Sequence, residues 1–123
     1  MVRITRVLHA SVNVGDGVDE TTAFYRDVLG LAAARRPEIP GVNGSWFDVA
    51  DAQLHLVGTQ PFPGIDPGAH HVCFGVDDLG AAIAELDAAG INYIGGSQNH
   101  DGTIVAQVWF HDPAGNVIEL QQD

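Results

Sequence analysis

The chain has 123 residues, 46% of them hydrophobic, enough for one globular domain with its own core and too apolar for a disordered segment. Sixteen acids stand against five arginines and no lysine, a formal net charge of −11, which argues against nucleic-acid and anionic-membrane partners. The single cysteine, Cys73, excludes an internal disulfide and fits a reducing compartment. No apolar run nears the ~20 residues that span a bilayer, and Met1 to Arg6 has no apolar signal core, so a soluble cytoplasmic protein is expected.

In chain order, Arg3 to Val14 reads as a strand, with Leu8, Ala10, Val12 and Val14 on one face and Val7, His9, Ser11 and Asn13 on the other. Gly15-Asp16-Gly17 breaks it. Asp19 is a candidate N-cap for a helix whose apolar face is Phe24, Val28 and Leu29, and Gly30 is its stop. A strand over Leu31 to Arg36 leads to a Pro/Gly/Asn-rich loop, Pro37 to Gly44. Ser45 to Ala50 and Gln53 to Val57 read as strands joined at Asp51-Ala52, and Gly58 to Gly68, with three prolines, as a linker.

The pattern then restarts. Ala69 to Val76 is a strand with His71, Cys73 and Gly75 on one face. Asp77 or Asp78 caps a helix with the apolar stripe Leu79, Ala82, Ile83 and Leu86, ended by Gly90. Ile91 to Ile94 reads as a short strand, Gly95 to Gly102 as a polar loop, and Thr103 to Phe110 and Val117 to Gln121 as the last strands. The last is launched from the tight turn Asp112-Pro113-Ala114-Gly115.

Each half thus reads strand, helix and three strands, and the halves match in register. His9 to Trp46 spans 37 residues and His71 to Trp109 spans 38; Trp46 to His55 spans 9 and Trp109 to Glu119 spans 10. A repeat of this length predicts an α+β fold of two tandem βαβββ modules, whose sheet curves around a cavity. The expected organisation is a single domain over residues 1–123, with module 1 at about 1–60, a linker at about 58–68 and module 2 at about 69–123.

Four potential metal ligands occupy matching places in the repeat: His9 and His71 in the first strand of each half, His55 and Glu119 in the last. One histidine in a strand is ordinarily structural, and a glutamate between Ile118 and Leu120 is ordinarily the wet face of an antiparallel strand. Four such residues at symmetry-related positions form a pattern. Three imidazoles and a carboxylate suit Fe, Ni, Co, Mn, Zn or Cu rather than Mg or Ca. Trp46 and Trp109 occupy matching strand positions, as core or as pocket wall. Asp48 and Gln107 are candidates to orient a ligand imidazole, and Asn13 shares the pocket face. His70 has the wrong parity to join His71, His100 and His111 fall in or beside loops, and Cys73 reads as packing.

The chain resembles the vicinal oxygen chelate superfamily, which includes glyoxalase I, methylmalonyl-CoA epimerase, extradiol dioxygenases and bleomycin-resistance proteins. The resemblance runs over essentially the whole chain. It rests on Leu8-His9, on Ala23-Phe24-Tyr25-Arg26-Asp27-Val28-Leu29-Gly30-Leu31 and on Gln53-Leu54-His55-Leu56. It continues through His71-Val72 with Val76-Asp77-Asp78-Leu79 to Asp112-Pro113-Ala114-Gly115-Asn116 with Val117-Ile118-Glu119-Leu120. It implies that His9, His55, His71 and Glu119 hold one divalent transition metal (Ni, Fe, Zn, Mn or Co), that a small substrate chelates it through two adjacent oxygens, and that the protein is a homodimer. The implied chemistry is of the lyase or isomerase type. The position of His55 usually carries Glu or Gln in glyoxalase I and in the epimerase, so histidine there departs from their proton-moving carboxylate. His9, His71 and Glu119 alone resemble the two-His-one-carboxylate set of Fe(II) extradiol dioxygenases. A non-catalytic, bleomycin-resistance-like drug-binding protein is the remaining alternative. The scarcity of cations points to a neutral or metal-chelating substrate rather than glutathione or a phosphonate.

Overall fold

The computed structural model describes residues 1–60, 63–100 and 103–123, without the side chains of residues 97–100 and 103–105. His100 therefore lies outside what is described of side chains. The strands are β1 (Ile4–Asn13), β2 (Ala32–Ala34), β3 (Asn43–Val49), β4 (Ala52–Gly58), β5 (His71–Val76), β6 (Tyr93–His100), β7 (Thr103–His111) and β8 (Val117–Gln122). Helix α1 (Val18–Ala23) follows β1, and α2 (Leu79–Ala88) follows β5. The strands form one eight-stranded sheet in the order β2-β3-β4-β1-β5-β8-β7-β6. Outward from the centre, the two halves have the same order, as the repeat predicts. They join where β1 pairs antiparallel with β5, while β1–β4 and β5–β8 are parallel. No helix among the described residues is long and apolar enough to cross a membrane.

Apolar residues of one sheet face pack under the helices. Val76, Val108 and Leu120 meet Leu79, Ala82 and Leu86 of α2, with Ile83 partly buried against them. Asp78 caps α2 by accepting a hydrogen bond from Ala81 N at 2.9 Å. In the first half Phe47 and Leu56 are buried with Val18.

Several expectations are corrected. Gly17, not Asp19, is the N-cap of α1, and Asp19 sits in the first turn. The helix continues into a π-helical turn, Phe24–Val28, and the wider winding turns the expected stripe outward. Phe24, Val28 and Leu29 are all exposed, and Tyr25 instead packs toward Phe47, with ring centroids 6.1 Å apart. The expected polar loop from Gly95 is largely strand, since β6 runs through to His100 against β7. It is an edge strand, where polar residues and the positive φ of Gly95 and Gly96 (128° and 154°) are accommodated.

Strand β1 also departs from simple alternation. Val7 pairs with Phe74 and His9 with Cys73, leaving Leu8 as an extra residue. This bulge flips the parity: Arg6 and Leu8 line the cavity before it, His9 and Ser11 after it, and Val7 is exposed on the other side.

Candidate metal centre

Four adjacent central strands, β4, β1, β5 and β8, each deliver one of the four expected ligands to the concave face. His9, His55, His71 and Glu119 are all buried and line one cavity of about 870 Å³ within a single chain. Register explains the convergence. Cys73 stands opposite both His9 and Glu119, and Ser11 opposite both His55 and His71. Ser11 and Cys73 are thus the matched floor positions of the two halves, and Cys73 is fully buried. Burial, with the Glu119 carboxylate beside it, pushes the Cys73 thiol up.

Three donor atoms come together. His9 Nε2 is 2.9 Å from Glu119 Oε2, His71 Nε2 is 3.4 Å from the same oxygen, and the two imidazole nitrogens are 3.4 Å apart. Donors about 2.1 Å from one ion lie about 3.0 Å apart at right angles and about 3.4 Å apart at the tetrahedral angle, so the triangle has the size of one face of a transition-metal coordination sphere. His71 Nδ1 donates to Ala69 O at 2.7 Å, which fixes the ring with Nε2 toward Glu119. Glu119 Oε2 is buried yet accepts no hydrogen bond of good geometry, so the His9 contact lies off the N–H direction. A buried carboxylate oxygen 2.9 and 3.4 Å from two imidazole nitrogens is satisfied by positive charge, a ring proton or a metal ion. Burial works to raise the Glu119 carboxyl, but His71 and His9 outweigh it and hold it at about 2, so it is ionised. Cys73 offers a further donor: its Sγ lies in a group with His9 and Glu119 whose ligand atoms are all within 4.8 Å of one another.

His55 is arranged differently. Its ring is sandwiched between Trp46 (centroids 3.9 Å apart, planes 5° apart) and His9 (3.9 Å, 23°). Its Nε2 is 2.9 Å from Gln53 Oε1, and Gln53 Nε2 donates to Asp48 Oδ1 at 3.3 Å. In this chain of contacts the His55 Nε2 carries the proton. Burial, and then the neighbouring His9, push the His55 imidazole down to about 2, so it is neutral.

Trp46, Asp48, Gln107 and Trp109 line the cavity; Asn13 does not. The Asn13 amide donates to Thr59 Oγ1 and Gly68 O, both at 2.7 Å, and ties the end of β1 to the segment before β5. His70 is exposed, with Nδ1 accepting from Asn13 N at 3.3 Å, and His111 is exposed at the end of β7.

Sequence reasoning missed Gln53 and three arginines. Gln53 could have been found, because it lies two residues before His55 on the same strand face. Arg6, Arg35 and Arg36 all line the cavity, so the cations, few in the chain, are concentrated there. Arg6 is bidentate to Asp123 at 3.0 Å and donates to Asp51 O, so its charge is offset.

Residues 6–120 match the model of the Glyoxalase/Bleomycin resistance protein/Dioxygenase superfamily. The chain is 32% identical to Glyoxylase I 4 of Arabidopsis thaliana, over 97% of this chain and 71% of that protein. It is 28% identical to the mitochondrial methylmalonyl-CoA epimerase of Mus musculus, over 98% of this chain and 74% of that protein. The crystal structure of methylmalonyl-CoA epimerase from Mycobacterium tuberculosis superposes with a TM-score of 0.75 at 21% identity, covering 97% of this chain and 88% of that one. With its eight strands curved around one site, the chain belongs to the Glyoxalase/Bleomycin resistance protein/Dioxygenase superfamily.

Proposed function

We propose that the protein is a metalloenzyme of the lyase or isomerase type, acting on a small substrate that presents two adjacent oxygens. The observation that carries this reading is Glu119 Oε2, buried, ionised and unpartnered between two imidazole nitrogens. His9, His71 and Glu119 hold a divalent transition ion. His55 is the fourth ligand and the most loosely engaged, because its Nε2 is committed to Gln53. The ion, when bound, supplies Lewis acidity toward a substrate oxygen. Trp109 lines the same cavity, and its Nε1, a donor with no partner among the described residues, is assigned to a substrate oxygen. Trp46 and the stacked His55 form an apolar wall that excludes water.

The test is metal content. Purified protein is expected to hold about one equivalent of Ni, Zn, Mn, Co or Fe, and a chelator is expected to lower its melting temperature. A chain that takes up no metal after reconstitution overturns the reading.

The convergence of two histidines and one carboxylate favours one second reading, an Fe(II) extradiol-type dioxygenase. Oxygen uptake by the Fe(II)-loaded protein with catechol separates the two. A metal-independent drug-binding role would leave the buried Glu119 unexplained. A homodimer goes with the proposal, since Val7 and Val72 are exposed on β1 and β5 away from the cavity; light scattering tests it.

A further inference from the structure

Three buried side-chain polar atoms among the described residues have no hydrogen-bond partner: Glu119 Oε2, Trp109 Nε1 and Arg36 Nε. All three residues line the same cavity. One is an acceptor, which suits a cation; two are donors, which suit oxygens. Buried polar groups are ordinarily paired; Glu119 Oε2 sits between two imidazole nitrogens, while Trp109 and Arg36 border the same cavity with their Nε1 and Nε shielded from solvent.

Arg36 is the donor that the proposed metal reading does not use. Its guanidinium takes the place of a side chain on the cavity face of β3. Gly44 shares parity with Trp46 and Asp48, and a Cβ on Gly44 would meet Arg36 Nε at 3.2 Å and Nη2 at 3.3 Å, besides the Leu56 carbonyl oxygen. Glycine at 44 makes the seat. Arg36 Nη2 donates to Val42 O at 2.8 Å, which fixes the group from the loop side. No carboxylate among the described residues pairs with it, in contrast to Arg6, which Asp123 neutralises. Burial lowers the Arg36 pKa, but arginine stays charged. The charge is felt at His55.

The position gives a distance. Along the β3–β4 pair, Trp46 stands opposite His55 and Gly44 opposite Val57. Arg36 is therefore seated one side-chain step, about 7 Å, along the strand from the Trp46–His55 stack. We propose that the substrate is an anion: beyond its chelating oxygens it carries a carboxylate, and Arg36, seated over Gly44, receives it. This rests on the metal reading of the site and adds a substrate class to it. It also revises the expectation of a neutral or metal-chelating substrate: the cations are few, but half-buried Arg36 lines the cavity with no carboxylate partner among the described residues. A guanidinium suits a carboxylate by its charge and its planar array of donors.

The experiment compares bidentate chelators that differ in the presence and the reach of a distal carboxylate. Acetohydroxamate and the monohydroxamates of malonate, succinate and glutarate are titrated into Zn(II)-loaded protein by calorimetry. In the wild type, one of the carboxylate-bearing probes is expected to bind at least tenfold tighter than acetohydroxamate. Arg36→Gln abolishes that advantage, measured relative to acetohydroxamate in the same variant, whereas Arg36→Lys retains part of it. Equal binding of all four probes by the wild type overturns the proposal. So does an advantage that survives in Arg36→Gln. Acetohydroxamate that binds equally with and without Zn(II) instead overturns the underlying metal reading. The wild-type comparison needs no variant, so a poorly folding Arg36→Gln does not blunt it.

Discussion

Trp46 lies flat against His55, with ring centroids 3.9 Å apart and planes within 5°. The stack and the Gln53 contact together hold the imidazole in its present orientation. Indole emission from Trp46 therefore reports on His55. In Trp109→Phe, which leaves Trp46 as the single tryptophan, Zn(II) is expected to shift Trp46 emission as His55 leaves Gln53. The shift is expected to vanish when His55→Gln is added. An unchanged spectrum at saturating Zn(II) would show that His55 does not join the ion.

Glu119 and His71 are expected to matter more to the ion than His55. Glu119→Gln keeps the shape but removes the charge, and His71→Ala removes the ring nitrogen whose orientation the Ala69 O contact fixes. Each is expected to abolish stoichiometric metal binding, while His55→Gln weakens it by about 10–100-fold, the scale seen for groups that support a site. The readout is competition with a fluorescent chelator. The rise in melting temperature with added Zn(II) is expected to disappear in the first two variants and persist in the third. Equal losses in all three would mean four equivalent ligands.

Trp109 Nε1 is a donor with no acceptor among the described residues. Trp109→Phe is expected to leave Zn(II) affinity unchanged and to weaken acetohydroxamate binding by about tenfold, the equivalent of about 1.4 kcal/mol for one hydrogen bond. Unaltered hydroxamate affinity would assign Trp109 to packing alone.

Asp112 organises the turn into β8. It accepts from Ala114 N, Asn116 N and Asn116 Nδ2, each at 2.9 Å. The Asn116 side chain above all, with its backbone N–H, holds the Asp112 carboxyl below its usual range. A carboxyl lowered on folding stabilises the fold fully above its unfolded value of about 3.9 and loses that contribution as pH falls through its folded value. Asp112→Ala is therefore expected to melt lower than wild type at neutral pH, with the gap closing as pH falls from about 5 to 2. A gap that stays constant with pH would remove the charged turn from the account.

The sequence made the repeat legible because matched ligands and tryptophans recur at nearly equal spacing in both halves. It was least reliable where local rules compete. The stripe Phe24, Val28 and Leu29 obeys a helical period, yet the π-turn carries it outward. The stretch from Gly95 looks like a loop because glycine and polar residues dominate it, yet at a sheet edge the backbone of β7 still pairs with it.

What the sequence determined by itself was the identity of His9, His55, His71 and Glu119 and, in strands that alternate without a break, the face each takes; in β1 the bulge at Leu8 sets it. Tertiary structure decided which of them meet. The β1–β5 pairing and the bulge at Leu8 bring His9 between the other donors, and these depend on contacts between residues more than 60 apart, such as His9 and His71. The same holds for Arg36: its charge is written in the chain, but its seat exists only because β3 lays Gly44 beneath it.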